Sequence, residues 1–385
     1  MTDSARPIYL DYQATTPCDP SVVDAMRPYF VEDFGNPASR THPYGWRARE
    51  AVEDARRQVA GLIGARAREI VFTSGATESN NLAILGAARA RSRPGAHVVT
   101  CRTEHRAVLD PVGRLEREGF RVTRLGVRPD GRLDLERLRD ALLPETVLIS
   151  LMHANNEIGV VQDLASVGAL ARERGIWLHS DAAQSAGRIE TRVDELQVDL
   201  LSLSGHKLYG PKGVGALYVR RGRRLEPLIY GGGHEAGLRS GTLPVPLCVG
   251  LGAACALSGE RMDADARGQA ELRDHLWRRL SGEIDGVWLN GASKPRLPGN
   301  LNLGIEGVAS QELLAAVPEL ALSSGSACTS AVPEPSHVLG ALGLSPERAL
   351  ECLRISLGRG TRPADVDRAA DLLAERVGKL RGRRR

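Results

Sequence analysis

The sequence predicts an α/β protein: a large domain built on a mostly parallel, helix-covered sheet, followed by a smaller α+β domain. Three observations carry this. Short apolar runs alternate with amphipathic stretches along most of the chain. That alternation stops near residue 258, where a long polar stretch begins. A length of 385 residues also exceeds what a single hydrophobic core usually serves.

The elements follow in order. EIVFTSG (69–75), AHVVTC (96–101), TVLISLMH (146–153), GIWLHSD (175–181), VDLLSLSGHK (198–207) and GVGALYV (213–219) read as strands. Stretches such as ESNNLAILGAARARS and LASVGALARERG read as the helices between them. LSGERMDADARGQAELRDHLWRRLSGEI (257–284) reads as one long amphipathic helix. The expected division is a large domain over 13–258 and a small α+β domain of 1–12 and 259–385. The latter is expected to carry a mobile loop, about 322–335, holding Cys328.

Composition excludes more than it selects. Hydrophobic residues make 42% and charged residues 25%, which is ordinary for a globular chain. A net charge of +4, spread over alternating Arg and Glu, gives no basic face, and 4% aromatics leave few platforms for bases. No direct nucleic-acid role is expected. The N-terminus MTDSARPIYLDY lacks the pattern of a leader, and VPLCVGLGAACAL is too short and too rich in Gly and Ala to span a bilayer. A cytoplasmic protein without membrane contact is expected. Six cysteines at 18, 101, 248, 255, 328 and 352 form no CxxC, so neither a disulfide framework nor an intrinsic metal site is expected. Cys248 and Cys255 sit in an apolar helical stretch and read as core.

Lysine is scarce. Of 51 basic residues only Lys207, Lys212, Lys294 and Lys379 are lysines. A chain that uses Arg nearly everywhere invites a chemical reason for each Lys, and Lys forms a Schiff base where Arg cannot. In open parallel sheets ligands bind at the carboxyl ends of strands. Lys207 lies at such an end, in SLSGHKLYGPKGVG, behind Ser204 and His206. Asp181 ends another strand, in HSDAAQSAG, where burial demands a partner such as a protonated pyridine nitrogen. TSGATESNN (73–81) places Ala76 and Thr77 at a helix start, which suits an anion or is an ordinary Ser/Thr cap. A lysine for a Schiff base, an acid for a ring nitrogen and a phosphate-binding helix start together are what pyridoxal 5'-phosphate requires.

Other candidates are open to two readings. His105, in TEHRAVLD, suits stacking and proton transfer, or a helix cap. Asn155 and Asn156 suit hydrogen bonds to a ring substituent, or a turn. Arg354, in CLRISLGRG, suits a carboxylate fork, but nothing in its spacing separates it from the other arginines.

YLDYQATTP (9–17), FGNPASRTHPYGW (34–46), FTSGATESNN (72–81), TEHRAVLD, NNEIGVVQD (155–163), SGHKLYGPKGVGALYV, GGGHEAGLRSGTLP (231–244), SSGSACTS (323–330) and RISLGR (354–359) together resemble the cysteine desulfurases. These are class V, fold-type I pyridoxal-phosphate enzymes, and the likeness runs from about 8 to 377, strongest to the bacterial housekeeping enzymes of iron–sulfur assembly. The resemblance implies a mostly parallel mixed sheet and release of sulfur from L-cysteine, giving L-alanine and a Cys328 persulfide. It implies onward transfer for iron–sulfur cluster assembly, with tRNA thiolation as a further outlet. Selenocysteine lyase, or another class V enzyme, is the alternative, against which the Cys328 loop argues.

Residue by residue, it implies Lys207 as the Schiff-base lysine, Asp181 on the pyridine nitrogen and His105 as stacking acid/base. Ala76, Thr77, Ser204 and His206 match the phosphate site. Asn156 and Gln184 match residues touching the ring, and Arg354 and Asn36 match the substrate carboxylate clamp. Thr242 matches a threonine reaching the neighbouring subunit's phosphate, so a homodimer is implied. An iron–sulfur scaffold protein or another acceptor is the implied partner, and Cys328 could ligate its cluster. Two departures stand out: Ala236 replaces an Arg usual in relatives, and the chain ends in LRGRRR where close relatives continue with a tail that docks the scaffold.

Overall fold

The computed structural model describes residues 6–324 and 335–382. Its strands are β1 (Ile8–Tyr9), β2 (Ile70–Thr73), β3 (His97–Cys101), β4 (Arg121–Leu125), β5 (Thr146–Ser150), β6 (Trp177–Asp181), β7 (Leu200–Ser204), β8 (Gly215–Val219), β9 (Val287–Leu289), β10 (Asn300–Ile305), β11 (Leu320–Ala321) and β12 (Cys352–Ser356). Seven form the main sheet in the order β2-β8-β7-β6-β5-β3-β4. All run one way except β8, which is antiparallel to both neighbours. The reason is the connection. Between β7 and β8 lie only a short turn at Gly205–Lys207 and a Gly/Pro loop, too little for a parallel crossover.

The six runs read as strands are β2, β3, β5, β6, β7 and β8. They were legible because β3, β5 and β7 are buried on both faces and so are apolar throughout. Alternate residues feed opposite layers: Val99, Ile149 and Leu201 enter one core, and Val98, Leu148 and Leu200 the other. The pattern gives no sign of β4. Its five residues include Arg121 and Arg124, it lies at the sheet edge, and only Leu125 is buried.

The polar stretch expected to start at 257 is the last two-thirds of one helix, Val245–Glu283. Residue 258 therefore falls inside a continuous element. Val245, Cys248, Leu251, Ala254 and Cys255 pack into the core beneath the main sheet. Leu276 and Leu280 pack into a second core, with Leu301, Leu303, Leu353 and Ile355 of the antiparallel sheet β12-β10-β9. Leu10 joins that second core, β1 pairs with β11, and Asp11 bridges to Ser356. The N-terminal segment thus leaves the second core and runs to the carboxyl edge of the main sheet.

The segment 231–241 is tied down by two ion pairs, Arg239–Glu78 at 2.9 Å and the more deeply buried Arg56–Glu235. Glu235 accepts from both Nη atoms of Arg56, at 2.8 and 2.7 Å, and from the Phe72 N–H at 2.7 Å. The two side chains are 10% and 2% exposed. Glu235 and Ala236 both adopt left-handed φ, 51° and 54°, which costs a residue with a Cβ. The pair holds a strained turn in place.

Removing one partner of such a pair leaves a bare charge. Arg56→Met is expected to destabilise the protein by about 3–5 kcal/mol. Ala236→Gly relieves the left-handed residue and is expected to stabilise it by about 1 kcal/mol. Denaturant unfolding midpoints of the two variants should move in opposite directions.

Candidate active site

Strand ends and one N-terminal segment converge on a cleft of about 720 Å³. Its lining includes Ala76, Thr77, His105, Asn156, Asp181, Gln184, Ser204, His206, Lys207 and Arg354. Asn36 and Thr242 lie outside it. Both are exposed, and Asn36 spends its side-chain oxygen on the Ala38 N–H at 2.9 Å. Cys328 lies outside the described residues. Among the described residues, no group of His, Cys, Asp or Glu is placed to hold a metal ion.

Lys207 closes the turn after β7. Its Nζ donates to the carbonyls of Gln13 and, at 2.8 Å, of Ala14. Burial pushes its amine down to about 7, helped by the nearby Arg188 and Arg354 cations and opposed by Asp11 and Asp181. A lysine so placed is largely uncharged just above neutral pH, which a nucleophile or base requires. His206, next to it, donates no charge: burial and the neighbouring cations push it down to about 4.

Asp181 ends β6 with 7% exposure. Its Oδ2 accepts from Asn80 Nδ2 at 2.7 Å and its Oδ1 from the Ala183 N–H at 2.9 Å. The sequence leads one to expect a cationic partner. The side-chain partners are instead two neutral donors, so the carboxylate faces the cleft with its charge uncompensated by a direct ion pair. A protonated ring nitrogen is the kind of group that fits there.

The helix Ala76–Ala90 begins at Gly75, and no side chain caps it. A Ser/Thr cap is therefore not what TSGATESNN provides. Its first N–H groups are left for an anion at the positive end of the helix dipole. Gly75 adopts φ 151°, and a Cβ on Gly215 would come within 2.7 Å of its Cα, so the approach needs two glycines.

His105 does cap a helix. Its Nδ1 accepts the Ala107 N–H at 3.0 Å at the start of Arg106–Arg117. That bond fixes the hydrogen on Nε2, so the ring faces the cleft as a donor. It accepts a proton only by giving up the cap. The two asparagines divide their tasks. Asn155 makes the turn, accepting from Glu157 and Ile158 at 2.8 and 2.9 Å, and Asn156 lines the cleft.

Arg354 in β12 is 2% exposed. Its Nη1 donates to the Asn156 carbonyl and its Nη2 to Asp11 Oδ1, both at 2.8 Å. Its Nε has no partner. Gln184 Nε2 reaches the Gln13 carbonyl at 3.0 Å, which locks the N-terminal segment across the cleft.

Sequence reasoning missed Asn80, Asp11, Gln13 and Arg188. Asn80 was within reach, because its spacing of three from Thr77 puts both on one helix face. The others act through neighbours far along the chain.

The model of the class-V aminotransferases matches residues 8–369. A cysteine desulfurase IscS of Rickettsia felis is 51% identical over 377 residues, 97% of this chain and 92% of that protein. The one from Anaeromyxobacter dehalogenans is 53% identical, over 97% and 93%. Among solved structures, a NifS-like protein superposes with a TM-score of 0.91 at 33% identity, over 97% of this chain and 99% of that one. A structure described as SspA in complex with cysteine gives 0.82 at 40%, over 91% and 98%.

With only four lysines, selective acylation reads each amine separately. Labelling of Lys207, followed by peptide mass spectrometry, is expected to rise half-maximally near pH 7. An ordinary lysine rises near about 10.4.

Proposed function

We propose that this chain, which belongs to the class-V aminotransferase family and within it to the cysteine desulfurases, takes sulfur from L-cysteine and releases L-alanine. The observation that carries the residue assignment is the meeting of Lys207, Asp181 and Arg354 in one cleft. The residues present fit pyridoxal phosphate: an amine that sheds its proton near neutrality, a buried acid with only neutral donors, and an uncapped helix start.

When bound, that cofactor supplies an aldehyde for the substrate amine and a ring that draws electrons from its Cα. The chain does the rest. The N–H groups of Ala76 and Thr77, with Ser204 and His206, hold the phosphate. Asp181 would hold a proton on the ring nitrogen, and Asn156, Gln184 and His105 would contact the ring. Arg354 takes the substrate carboxylate on its open N–H edges while Asp11 holds its far side. Lys207 Nζ removes the Cα proton. His105 Nε2–H would serve as a hydrogen donor in the cleft.

Cys328 accepts the sulfur. Its Sγ bonds to the substrate Sγ as the Cβ–Sγ bond breaks. The carbon skeleton keeps that electron pair, takes up protons and leaves as alanine. Two observations support this choice. None of the five described cysteines lines the cleft, and burial pushes each thiol up, Cys101 and Cys352 to about 11 and Cys248 and Cys255 to about 12. Described residues on either side of Cys328 also reach cleft residues. Ser323 bridges to Arg354, and His337 lines the wall with its Nε2 on the Glu104 carbonyl at 3.0 Å.

The finer readings are a homodimer to which Thr242 contributes, Asn36 as a further substrate contact, a large domain over 13–258, and transfer to an iron–sulfur scaffold in the cytoplasm. No described helix is long and apolar enough to cross a membrane.

The test is an absorption spectrum before and after L-cysteine and dithiothreitol, with alanine and sulfide assayed together. A yellow protein making both in step is expected. Cys328→Ala should keep the colour and lose sulfide release, and a variant that still turns over defeats the persulfide route. Lys207→Ala should lose the visible band. Arg354→Gln should raise KM for cysteine by about tenfold or more, from loss of a charge-assisted fork.

A further inference from the structure

Arg188 is a cation that the assignments above leave unused. It follows β6, four residues beyond Gln184. Its Nη2 donates to the Tyr12 carbonyl at 2.8 Å and the Lys207 carbonyl at 3.2 Å. Its Nη1 donates to Gln184 Oε1 at 3.3 Å. All three acceptors are neutral. Among the described residues, no carboxylate forms an ion pair with it.

Arg354, the other arginine beside Lys207, sits on a carboxylate, Asp11, whereas Arg188 does not. The groups around it explain why no carboxylate is free. Asp11 is held by Arg354, and Asp181 by Asn80 and Ala183. His206 is neutral, Tyr209 is pushed up by burial, and Lys212, also lining the cleft, adds positive charge. Burial pushes the Arg188 guanidinium itself down, but not to where arginine loses its charge. Arg188 therefore presents an unpaired positive charge to the turn that carries Lys207.

We propose that Arg188 is a positioning residue for the reactive lysine: it clamps the Lys207 main chain and the Gln184 side chain, and its unpaired charge disfavours a second positive charge on Lys207 Nζ. The inference rests on Lys207 being the reactive lysine. Three groups on separate elements meet at this one guanidinium: the N-terminal segment through Tyr12, the post-β6 turn through Gln184, and the post-β7 turn through Lys207. The effect on Lys207 agrees, since after burial Arg188 is the largest influence lowering its amine, ahead of Arg354.

The test compares Arg188→Lys, which keeps the charge, with Arg188→Gln, which keeps a donor without it, and Arg188→Met, which keeps neither. Each full-length variant is read by pH-dependent acylation of Lys207 and by the pH midpoint of the visible band after loading with pyridoxal phosphate. Removing the charge is expected to move the Lys207 midpoint up by about one pH unit, with Arg188→Lys staying near wild type. Turnover at pH 7 should fall about fivefold in Arg188→Gln and recover as pH rises, since fewer amines are unprotonated. Equal shifts in Arg188→Lys and Arg188→Gln would assign the effect to lost packing and overturn the charge role. An Arg188→Gln protein that binds the cofactor with a wild-type midpoint would overturn it as well, while leaving Lys207 in place. A wild-type Lys207 that titrates like a free lysine and gives no colour would instead bring down the reading of Lys207, and the inference with it.

Discussion

Positive charge held away from water is the constraint on which this structure turns. Lys207, Arg188 and Arg354 gather around one cleft, and the two nearest carboxylates, Asp11 and Asp181, are already engaged. Charge in such a place is costly unless something balances it. The protein balances it in part by letting one cation go neutral, which is why the Lys207 amine is pushed down to about 7. The remainder suits ligands that bring their own negative charge, a phosphate at one end and a carboxylate at the other. Binding and reactivity follow from the same imbalance.

The fold makes that gathering possible with little local strain. The ends of β2, β3, β5, β6 and β7 lie on one edge, and the turns beyond them deliver the lining side chains. The segment Tyr12–Thr16 then crosses that edge from the second core and supplies carbonyls to Lys207, Gln184 and Arg188. Several buried polar atoms of the lining residues have no partner: Gln13 Nε2, Asn80 Oδ1 and Arg354 Nε. Such groups cost stability, and their concentration at one place marks where the sequence serves a ligand rather than the fold.

How much of this the sequence revealed depended on whether the cause was local. Lys207 and Asp181 were legible because a polar residue at the end of an apolar strand has few places to go, and because lysine is rare here. The strand β4 was not, since a half-exposed edge strand with two arginines carries no apolar signal. Arg354 could be singled out only by resemblance, because nothing local separates it from other arginines before Asp11 and Asn156 are brought beside it. The same holds for Arg188. The sequence around His105 and the paired asparagines supports two readings each, and the structure gives a use to both: His105 caps a helix and lines the cleft, and Asn155 makes the turn that presents Asn156.

The helix Val245–Glu283 serves two cores with one backbone. Its fully buried residues stop at Ser258 and resume at Leu276, with Leu272 already packed on the second core, and the exposed or half-buried turns before it act as a spacer. At 39 residues it is about 58 Å long. A spacer of this kind fixes phase as well as length. One residue inserted within it would advance the second apolar face by about 1.5 Å and turn it by about 100°. The core that carries Arg354 would then be misaligned against the sheet that carries Lys207, although no cleft residue had changed. Substitutions at the exposed positions of that stretch should therefore be tolerated, whereas insertions and deletions should not.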